Sequence, residues 1–266
     1  MAPEHEQWAL ILGASSGFGE VTARTLAKRG FNICGVHLDR RAGMKHVDEI
    51  TAAIRDTGRQ AIFFNVNAAD HEKRQQVIDA LVTRIAEDGG GVVCVLMHSL
   101  AFGSLTPFVG AEAARLATPA QLEMTMNVMA NSLVYWVQDA AGRGLLARGS
   151  RVVAMTSAGS SRVWPGYGPV SAAKAALESY VRQLAVELGP SGVTVNAIRA
   201  GVTDTPAFRK IPGSEIMASE VRSRNPSGRM TEPSDVADVI AMLAGSEAQW
   251  ITGTVIGVDG GEDVAT

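Results

Sequence analysis

Short apolar segments alternate along this chain with longer amphipathic ones. The segments with strand character are 9–12, 32–37, 61–66, 92–97, 151–156, 194–198 and 255–258. Helical patterns lie between them, near 18–29, 43–57, 70–87, 118–147, 169–188 and 233–245. Strands separated by helices of this length form βαβ units, because parallel strands need a long crossover connection. We therefore predict an α/β fold, a doubly wound parallel sheet of about seven strands with helices on both faces.

The chain is long enough for one large domain with a substantial core, since it has 266 residues. It contains neither an internal repeat nor a linker, so we predict a single domain over 1–266. The segment 203–228 is rich in Pro, Gly, Ser and charge and lies between the sixth strand and the last long helix. This position is suited to a substrate lid.

Composition argues against several classes of partner. The net charge is −3 and both signs are interspersed, whereas nucleic acids and anionic membranes bind a concentrated basic face. No apolar run reaches the roughly 18 residues of a membrane span, and no signal peptide is visible, so we expect a cytoplasmic protein. Cys34 and Cys94 lie in apolar strands and are expected to be packed thiols. The histidines show no metal-ligand spacing, so no metal is expected.

The stretch LGASSGFG, residues 12–19, follows the first strand and opens a helix. Its glycines let backbone amides approach a pyrophosphate, and the helix N-terminus adds positive partial charge. In this context the loop predicts a Rossmann-type dinucleotide site, although an ordinary βα turn remains the alternative. The loop residues predicted to bind the cofactor are Gly13, Ser15, Ser16, Gly17, Phe18 and Gly19.

The spacing Gly-x-x-x-Gly-x-Gly resembles that of the short-chain dehydrogenase/reductase superfamily. Other landmarks are similar: VDGG at 258–261 resembles its closing strand, and NAIRAGVTDT at 196–205 resembles its nicotinamide-clasping loop, with Ala200 where proline is usual. The resemblance implies cofactor contacts from Asn65, Val66, Ser99, Leu100, Ala101, Ala200, Gly201, Val202, Thr203 and Thr205. It also implies catalytic roles for Ser157 and Asn127, and a homotetramer paired through the long helices.

The choice of nicotinamide cofactor depends on the end of the second strand. An acidic residue there binds the ribose 2′-hydroxyl and repels a 2′-phosphate. That position is His37, followed by Asp39, Arg40 and Arg41. We expect NADPH, because the arginines suit a phosphate. NADH remains an alternative, because Asp39 is acidic and because the two arginines could belong to a solvated loop that does not contact the cofactor.

Hydride transfer requires an acid at the substrate and a cation beside it. A nearby lysine ammonium favours the ionised form of a tyrosine, whose ordinary pKa is about 10. In the commonest family pattern the tyrosine precedes the lysine by four residues, but here that residue is Val170. Tyr167 precedes Lys174 by seven residues, which returns a helix to within roughly 20° of the same face. With Pro169 in the first turn, Tyr167 is expected at the helix cap, and Lys174 is expected to hold the nicotinamide ribose.

The seven-residue gap resembles that of the enoyl-acyl-carrier-protein reductases of bacterial fatty acid synthesis. The stretch HSLAFG at 98–103 is similar to their His-Ser-Ile-Ala-Phe. Together with the superfamily-type glycine loop and Asn127, the chain resembles the divergent Bacillus-like form of these enzymes. The resemblance implies reduction of a trans-2-enoyl thioester by NADPH or NADH.

An enoyl thioester accepts hydride at C3, so negative charge develops on a more distant oxygen than in a ketone. A displaced tyrosine suits that geometry. Phe102, Trp164, Phe208 and Met217 are candidates for an acyl channel or for plain core positions. Arg209 and Lys210 are candidates for docking an acyl carrier protein, although loop charges are often only solvated.

Two alternatives stay open. A ketoreductase or hydroxysteroid-type alcohol dehydrogenase is favoured by Ser157 and Asn127. A non-catalytic dinucleotide-binding sensor is the other, and the presence of both Tyr167 and Lys174 argues against it.

Overall fold

The computed structural model describes residues 6–112 and 115–265. Its strands form one parallel sheet in the order β3-β2-β1-β4-β5-β6-β7. The strands are β1 (Glu6–Leu12), β2 (Asn32–His37), β3 (Ala61–Asn65), β4 (Gly91–His98), β5 (Arg151–Ser157), β6 (Thr194–Ala200) and β7 (Val255–Val258). The strand order reverses between β1 and β4, which is where a doubly wound sheet opens its ligand crevice. The predicted α/β fold is confirmed.

Eight α-helices connect these strands within the described part of the chain. They are α1 (Gly17–Lys28), α2 (Met44–Arg55), α3 (His71–Glu87), α4 (Pro119–Met126), α5 (Ser132–Gly142), α6 (Gly168–Leu188), α7 (Ser214–Arg224) and α8 (Pro233–Leu243). A π-helical turn, Asn127–Asn131, joins α4 to α5, so the helix predicted over 118–147 is interrupted and ends at Gly142. Helix α7 lies inside 203–228 and was missed, because only Ala218 and Val221 of it are buried and its apolar periodicity is weak.

The sheet is buried on both faces by two separate apolar layers. One layer packs α3, α5 and α6 against the sheet and includes Trp136 and Leu177. The other packs α1, α2 and α8 against the opposite face and includes Leu26 and Ile240. A fully buried side chain of this kind contributes about 1.5–3 kcal/mol relative to an exposed one. The two layers hold the strand ends in fixed positions, which is what a site at those ends requires.

Both cysteines are free thiols in strands, as expected for packed cysteines: Cys34 is buried in β2 and Cys94 is partly buried in β4. Within residues 6–112 and 115–265, no helix is long and apolar enough to cross a membrane.

Candidate active site

Two adjoining depressions lie beyond the carboxyl ends of the strands. The outer cleft has a volume of about 760 Å³ and is lined by the glycine loop, the ends of β2 and β3 and the segment that follows β4. The inner cavity has a volume of about 260 Å³ and lies between the ends of β5 and β6 and the start of α6. Both contain Phe18, Leu100, Thr205 and Lys210, so they form one continuous site.

The glycine loop brings backbone close to the outer cleft. Gly13 and Gly17 adopt positive φ angles of 90° and 55°, which glycine tolerates best. A Cβ atom at Gly13 would lie 2.3 Å from Ser99 O, and one at Gly17 would lie 3.3 Å from Thr205 Cγ2. This narrow backbone cradle at the N-terminus of α1 fits the pyrophosphate of a dinucleotide. Gly19 packs α1 against the loop instead, since its Cβ would lie 2.1 Å from Gly13 O.

Most of the predicted site residues are brought together. The predicted residues that line the outer cleft are Gly13, Ser15, Ser16, Gly17, Phe18, His37, Arg40, Val66, Ser99, Leu100, Ala101 and Thr205. Those that line the inner cavity include Ser157, Tyr167, Lys174, Ala200, Gly201 and Thr203.

Three further cofactor residues predicted from sequence do not line either depression. The Asn65 side chain is used structurally, because its Oδ1 accepts from Asp39 N at 3.0 Å and its Nδ2 donates to Asp39 O at 2.9 Å. Arg41 is exposed at the start of a short 3₁₀ turn. Val202 N donates to Glu262 Oε2 at 2.9 Å, and this bond ties the loop after β6 to the C-terminal segment. Asn67, which the strand-end pattern missed, lines the cleft two residues beyond Asn65.

The end of β2 carries a paired acid and imidazole. His37 is buried, and its Nδ1 lies 2.9 Å from Asp39 Oδ2. Asp39 and Arg40 both line the outer cleft. One oxygen of the carboxylate is therefore engaged by His37, while Arg40 remains exposed beside it.

Tyr167 is the N-cap residue of α6, in the position that Pro169 predicted. Its ring packs on Gly159, where a Cβ atom would lie 2.4 Å from Tyr167 Cε1. Burial raises the pKa of the phenol, and the neighbouring Ser157 hydroxyl acts in the opposite direction. Ser157 Oγ is buried and has no hydrogen-bond partner among the described residues. Both hydroxyls therefore border the inner cavity with hydrogen-bonding capacity to spare.

Lys174 is buried, and its ammonium joins three parts of the site. Its Nζ donates to Met155 O at 2.7 Å and to Leu100 O at 3.4 Å. Burial lowers the pKa of Lys174 to about 8, and the charge of Glu178 acts in the opposite direction. Glu178 is itself held by Thr156 Oγ1, which donates to Glu178 Oε1 at 2.7 Å. Sequence reasoning missed this supporting pair, because nothing in its spacing relates Thr156 to Glu178.

Asn127 does not join the catalytic groups. It begins the π-turn and lines neither depression. The turn brings Met129 to the cavity wall instead. Val170, the residue four before Lys174, is also in that wall, and its Cγ2 lies 2.9 Å from where a Cβ of Gly103 would be.

The segment 203–228 covers one side of the inner cavity. Phe208, Lys210 and Ile211 line the cavity, as does Phe102 from the segment after β4. Met217 lines neither depression.

Trp164 also lies outside both linings. Its Nε1 donates to Pro212 O at 3.0 Å. It thereby joins the Tyr167-bearing segment to the segment that covers the cavity.

The chain is similar to known proteins over nearly its whole length. Residues 13–262 match a family model described as enoyl-(acyl carrier protein) reductase. Cis-4-hydroxycyclohexanecarboxylate dehydrogenase of Sinomonas cyclohexanicum is 29% identical and covers 96% of each chain. 1-cyclohexenylcarbonyl-CoA reductase of Streptomyces collinus is 31% identical over 97% of this chain and 87% of its own. A short-chain dehydrogenase from Burkholderia cenocepacia, solved with NADP, is 27% identical with a TM-score of 0.80 and covers 97% of this chain and 98% of its own.

The chain belongs to the short-chain dehydrogenase/reductase superfamily. It is an oxidoreductase that depends on a nicotinamide dinucleotide, and the glycine cradle and outer cleft have the donors and the room for one. Among the described residues, no group of three or more His, Cys, Asp or Glu side chains could hold a metal ion.

The depressed pKa of Lys174 makes a testable contribution to stability. The unfolded chain, with a lysine pKa near 10.4, binds more protons than the native state between about pH 8 and pH 10.4. The free energy of unfolding should therefore rise with pH in this window, by roughly 1–3 kcal/mol, relative to Lys174→Met. Urea titrations of both proteins at pH 7.5 and pH 9.5 measure the difference. Lys45→Met, which removes an exposed lysine of α2, is the control. If the free energy of unfolding of the wild type, relative to that of Lys174→Met, does not rise between pH 7.5 and pH 9.5, the pKa of Lys174 is not lowered.

Proposed function

We propose that the protein reduces the C2–C3 double bond of a trans-2-enoyl thioester with NAD(P)H, in fatty acid biosynthesis. One observation carries the proposal: the phenol in the inner cavity comes from Tyr167 at the cap of α6, and the position four before Lys174 is aliphatic. A donor at the cap lies farther along the helix axis from Lys174 than a donor one turn away. That displacement suits a substrate whose oxygen is remote from the carbon that accepts hydride.

The residues of the site have distinct roles in this reaction. When bound, the dinucleotide supplies a hydride, which an enoyl thioester accepts at C3. Negative charge then develops on the thioester oxygen, where the Tyr167 phenol donates a hydrogen bond. The enolate so formed takes a proton from solvent at C2, which gives the saturated thioester. Ser157, with its unpartnered hydroxyl beside Tyr167, offers a second donor. Lys174 would hold positive charge in the same cavity and, from its place between Met155 O and Leu100 O, would bind the ribose of the cofactor.

Two comparisons support an unsaturated thioester as the substrate. The matching family model is that of an enoyl-(acyl carrier protein) reductase, and the Streptomyces collinus relative is a reductase of 1-cyclohexenylcarbonyl-CoA. The lining of the inner cavity is also suited to an acyl group, since Phe102, Met129, Val170 and Phe208 are apolar.

A carbonyl or alcohol substrate is the second candidate. Ser157 lies beside Tyr167, as a carbonyl-reducing site requires, and the Sinomonas cyclohexanicum relative is a hydroxy acid dehydrogenase. Asn127, for which the family resemblance also implies a catalytic role in such a site, does not line the cavity.

The substrate class can be tested by absorbance at 340 nm. We expect oxidation of NADPH by crotonyl thioesters and not by acetoacetyl thioesters. Tyr167→Phe should reduce kcat by about 10²–10⁴-fold, the usual contribution of a positioned proton donor, while cofactor binding persists. Tyr135→Phe, on α5, is the matched control. Turnover of only the keto thioester favours the second candidate, and turnover of neither favours a dinucleotide-binding sensor.

We propose that NADPH is preferred over NADH. Arg40 is the cation at the tip of β2 that lines the outer cleft, and the Asp39 carboxylate beside it is bound by His37. A guanidinium there would hold a 2′-phosphate, whereas a free carboxylate would repel it.

Arg40→Gln should weaken NADPH binding by about ten- to a hundredfold and leave NADH binding unchanged, because a charge-assisted phosphate contact contributes about 1.5–3 kcal/mol. Asp39→Asn should tighten NADPH binding. Fluorescence titration with both nucleotides measures these changes. Arg41→Gln removes the neighbouring exposed arginine and should change neither affinity. If Asp39→Asn instead weakens NADH binding and Arg40→Gln has no effect, NADH is the cofactor.

We propose that 203–228 is the substrate lid, and that Lys210 rather than Arg209 meets the acyl carrier. Arg209 is bound by Asp204 through two contacts of 2.6 and 2.9 Å. Lys210 is exposed, lines both depressions and has no ion-pair partner in the described ranges. A phosphopantetheine phosphate, present in both coenzyme A and acyl carrier protein, is the group it would bind.

Lys210→Gln should raise KM several-fold for crotonyl-CoA and crotonyl-acyl carrier protein, because the phosphate loses its cation. It should leave KM unchanged for the N-acetylcysteamine thioester, which lacks the phosphate. Arg209→Gln is the matched control. Equal changes for all three thioesters would show that Lys210 acts on the lid and not on the carrier.

A further inference from the structure

His98 is a buried imidazole at the end of β4 for which the proposed reaction has no role. Its side chain is fully buried, and its Nε2 lies 2.8 Å from Ser132 Oγ, the first residue of α5. Ser132 is also fully buried, and its Oγ donates to Val128 O at 2.7 Å. A polar chain therefore runs from the sheet edge to the π-turn, Asn127–Asn131.

The proton positions in this chain of hydrogen bonds follow from the number of hydrogens that each group can donate. A serine hydroxyl has one hydrogen, and Ser132 uses it on Val128 O. Ser132 Oγ must then accept from His98, so the imidazole carries its proton on Nε2. Nδ1 has no hydrogen-bond partner among the described residues. Burial, with the nearby Lys174 charge, lowers the pKa of His98 to about 3, so the imidazole is neutral.

The π-turn needs such a support. A π-turn departs from the regular i→i−4 ladder, and side-chain donors can add to the hydrogen bonds of its backbone carbonyls. Ser132 supplies a donor to Val128 from within the helix, and Tyr180 Oη donates to Asn131 Oδ1 at 2.9 Å from α6. The turn is thus held on one side by β4 and on the other by α6.

The turn determines one wall of the inner cavity. Met129 lies within it, is almost fully buried and lines the cavity. Its Sδ lies 2.7 Å from where a Cβ of Gly103 would be, so the wall is tightly packed. If the π-turn became regular α-helix, the register would change by one residue and Met129 would rotate by roughly 100° about the helix axis.

We propose that His98 is a positioning residue. Its Nε2–H donates to Ser132 Oγ, Ser132 donates to Val128 O in the π-turn, and these bonds keep Met129 in the wall of the inner cavity. The inference rests on the proposed function only for the identity of the group that occupies the cavity. The placement of the wall depends on His98 and Ser132 themselves.

Imidazole ¹⁵N NMR of the wild-type protein tests the tautomer without any assay of activity. Single replacement of the other four histidines by glutamine assigns the His98 signal. We expect a neutral Nε2–H imidazole that does not titrate between pH 5 and pH 8. An Nδ1–H tautomer, or titration near pH 6.5, would overturn the proposal.

Ser132→Ala tests the effect on the site. We expect KM for crotonyl thioester to rise about five- to tenfold, with the affinity for NADPH within twofold of wild type. Ser132→Thr, which keeps the hydroxyl, should restore KM. Ser150→Ala is the matched control, because Ser150 is a buried serine that donates to Val93 O at 2.8 Å at the opposite end of the sheet.

An unchanged KM in Ser132→Ala, or an equal rise in Ser150→Ala, would overturn the positioning role. If the wild-type protein turns over no enoyl thioester, the proposed function fails. The NMR result then still decides the tautomer and the hydrogen bond to Ser132.

Discussion

The site depends on one buried cation. Lys174 lies on α6, and its ammonium donates to the main chain at Met155, in β5, and at Leu100, just beyond β4. These two bonds fix the register of α6 against the carboxyl edge of the sheet. Taking an ammonium out of water is costly, which is why the pKa of Lys174 falls to about 8. The apolar layer around Leu177, against which Tyr167 packs, offsets that cost, and Tyr167, Ser157 and Lys174 border the same cavity.

Much of this arrangement could be predicted from the sequence, because it follows from periodicity and local turn chemistry. Alternating strands and helices predict a parallel sheet, and a parallel sheet brings its strand ends to one edge. The glycine loop, Tyr167 and Lys174 lie within a few residues to two dozen residues of a strand end in the sequence, so they are predicted to lie near that edge. Pro169 predicted the cap of α6, since its missing N–H suits the first turn, and the structure confirms the helix start at Gly168.

Positions decided by long-range side-chain contacts could not be predicted in this way. The resemblance implied a cofactor contact for Asn65, but its amide is used by the main chain of Asp39. Asn127 has the sequence context of a catalytic asparagine, but a π-turn begins at that residue and places Met129 in the cavity wall. Helix α7 was missed because it buries too few residues to produce a periodic signal. Apolar periodicity and turn chemistry report none of these three features.

The wall formed by Val170, Met129 and Gly103 explains why the position of the phenol matters chemically. Val170 is 4% exposed and packs where a Cβ of Gly103 would not fit, so a tyrosine ring at 170 would have no room without movement of the wall. The acid is therefore excluded sterically from the position one turn before Lys174. Tyr167 at the cap avoids this wall, because its ring packs over Gly159 instead. Tight packing around Val170 excludes a tyrosine one turn before Lys174, and the helix cap places Tyr167 in the cavity. Both features therefore account for the seven-residue gap between Tyr167 and Lys174 in the sequence.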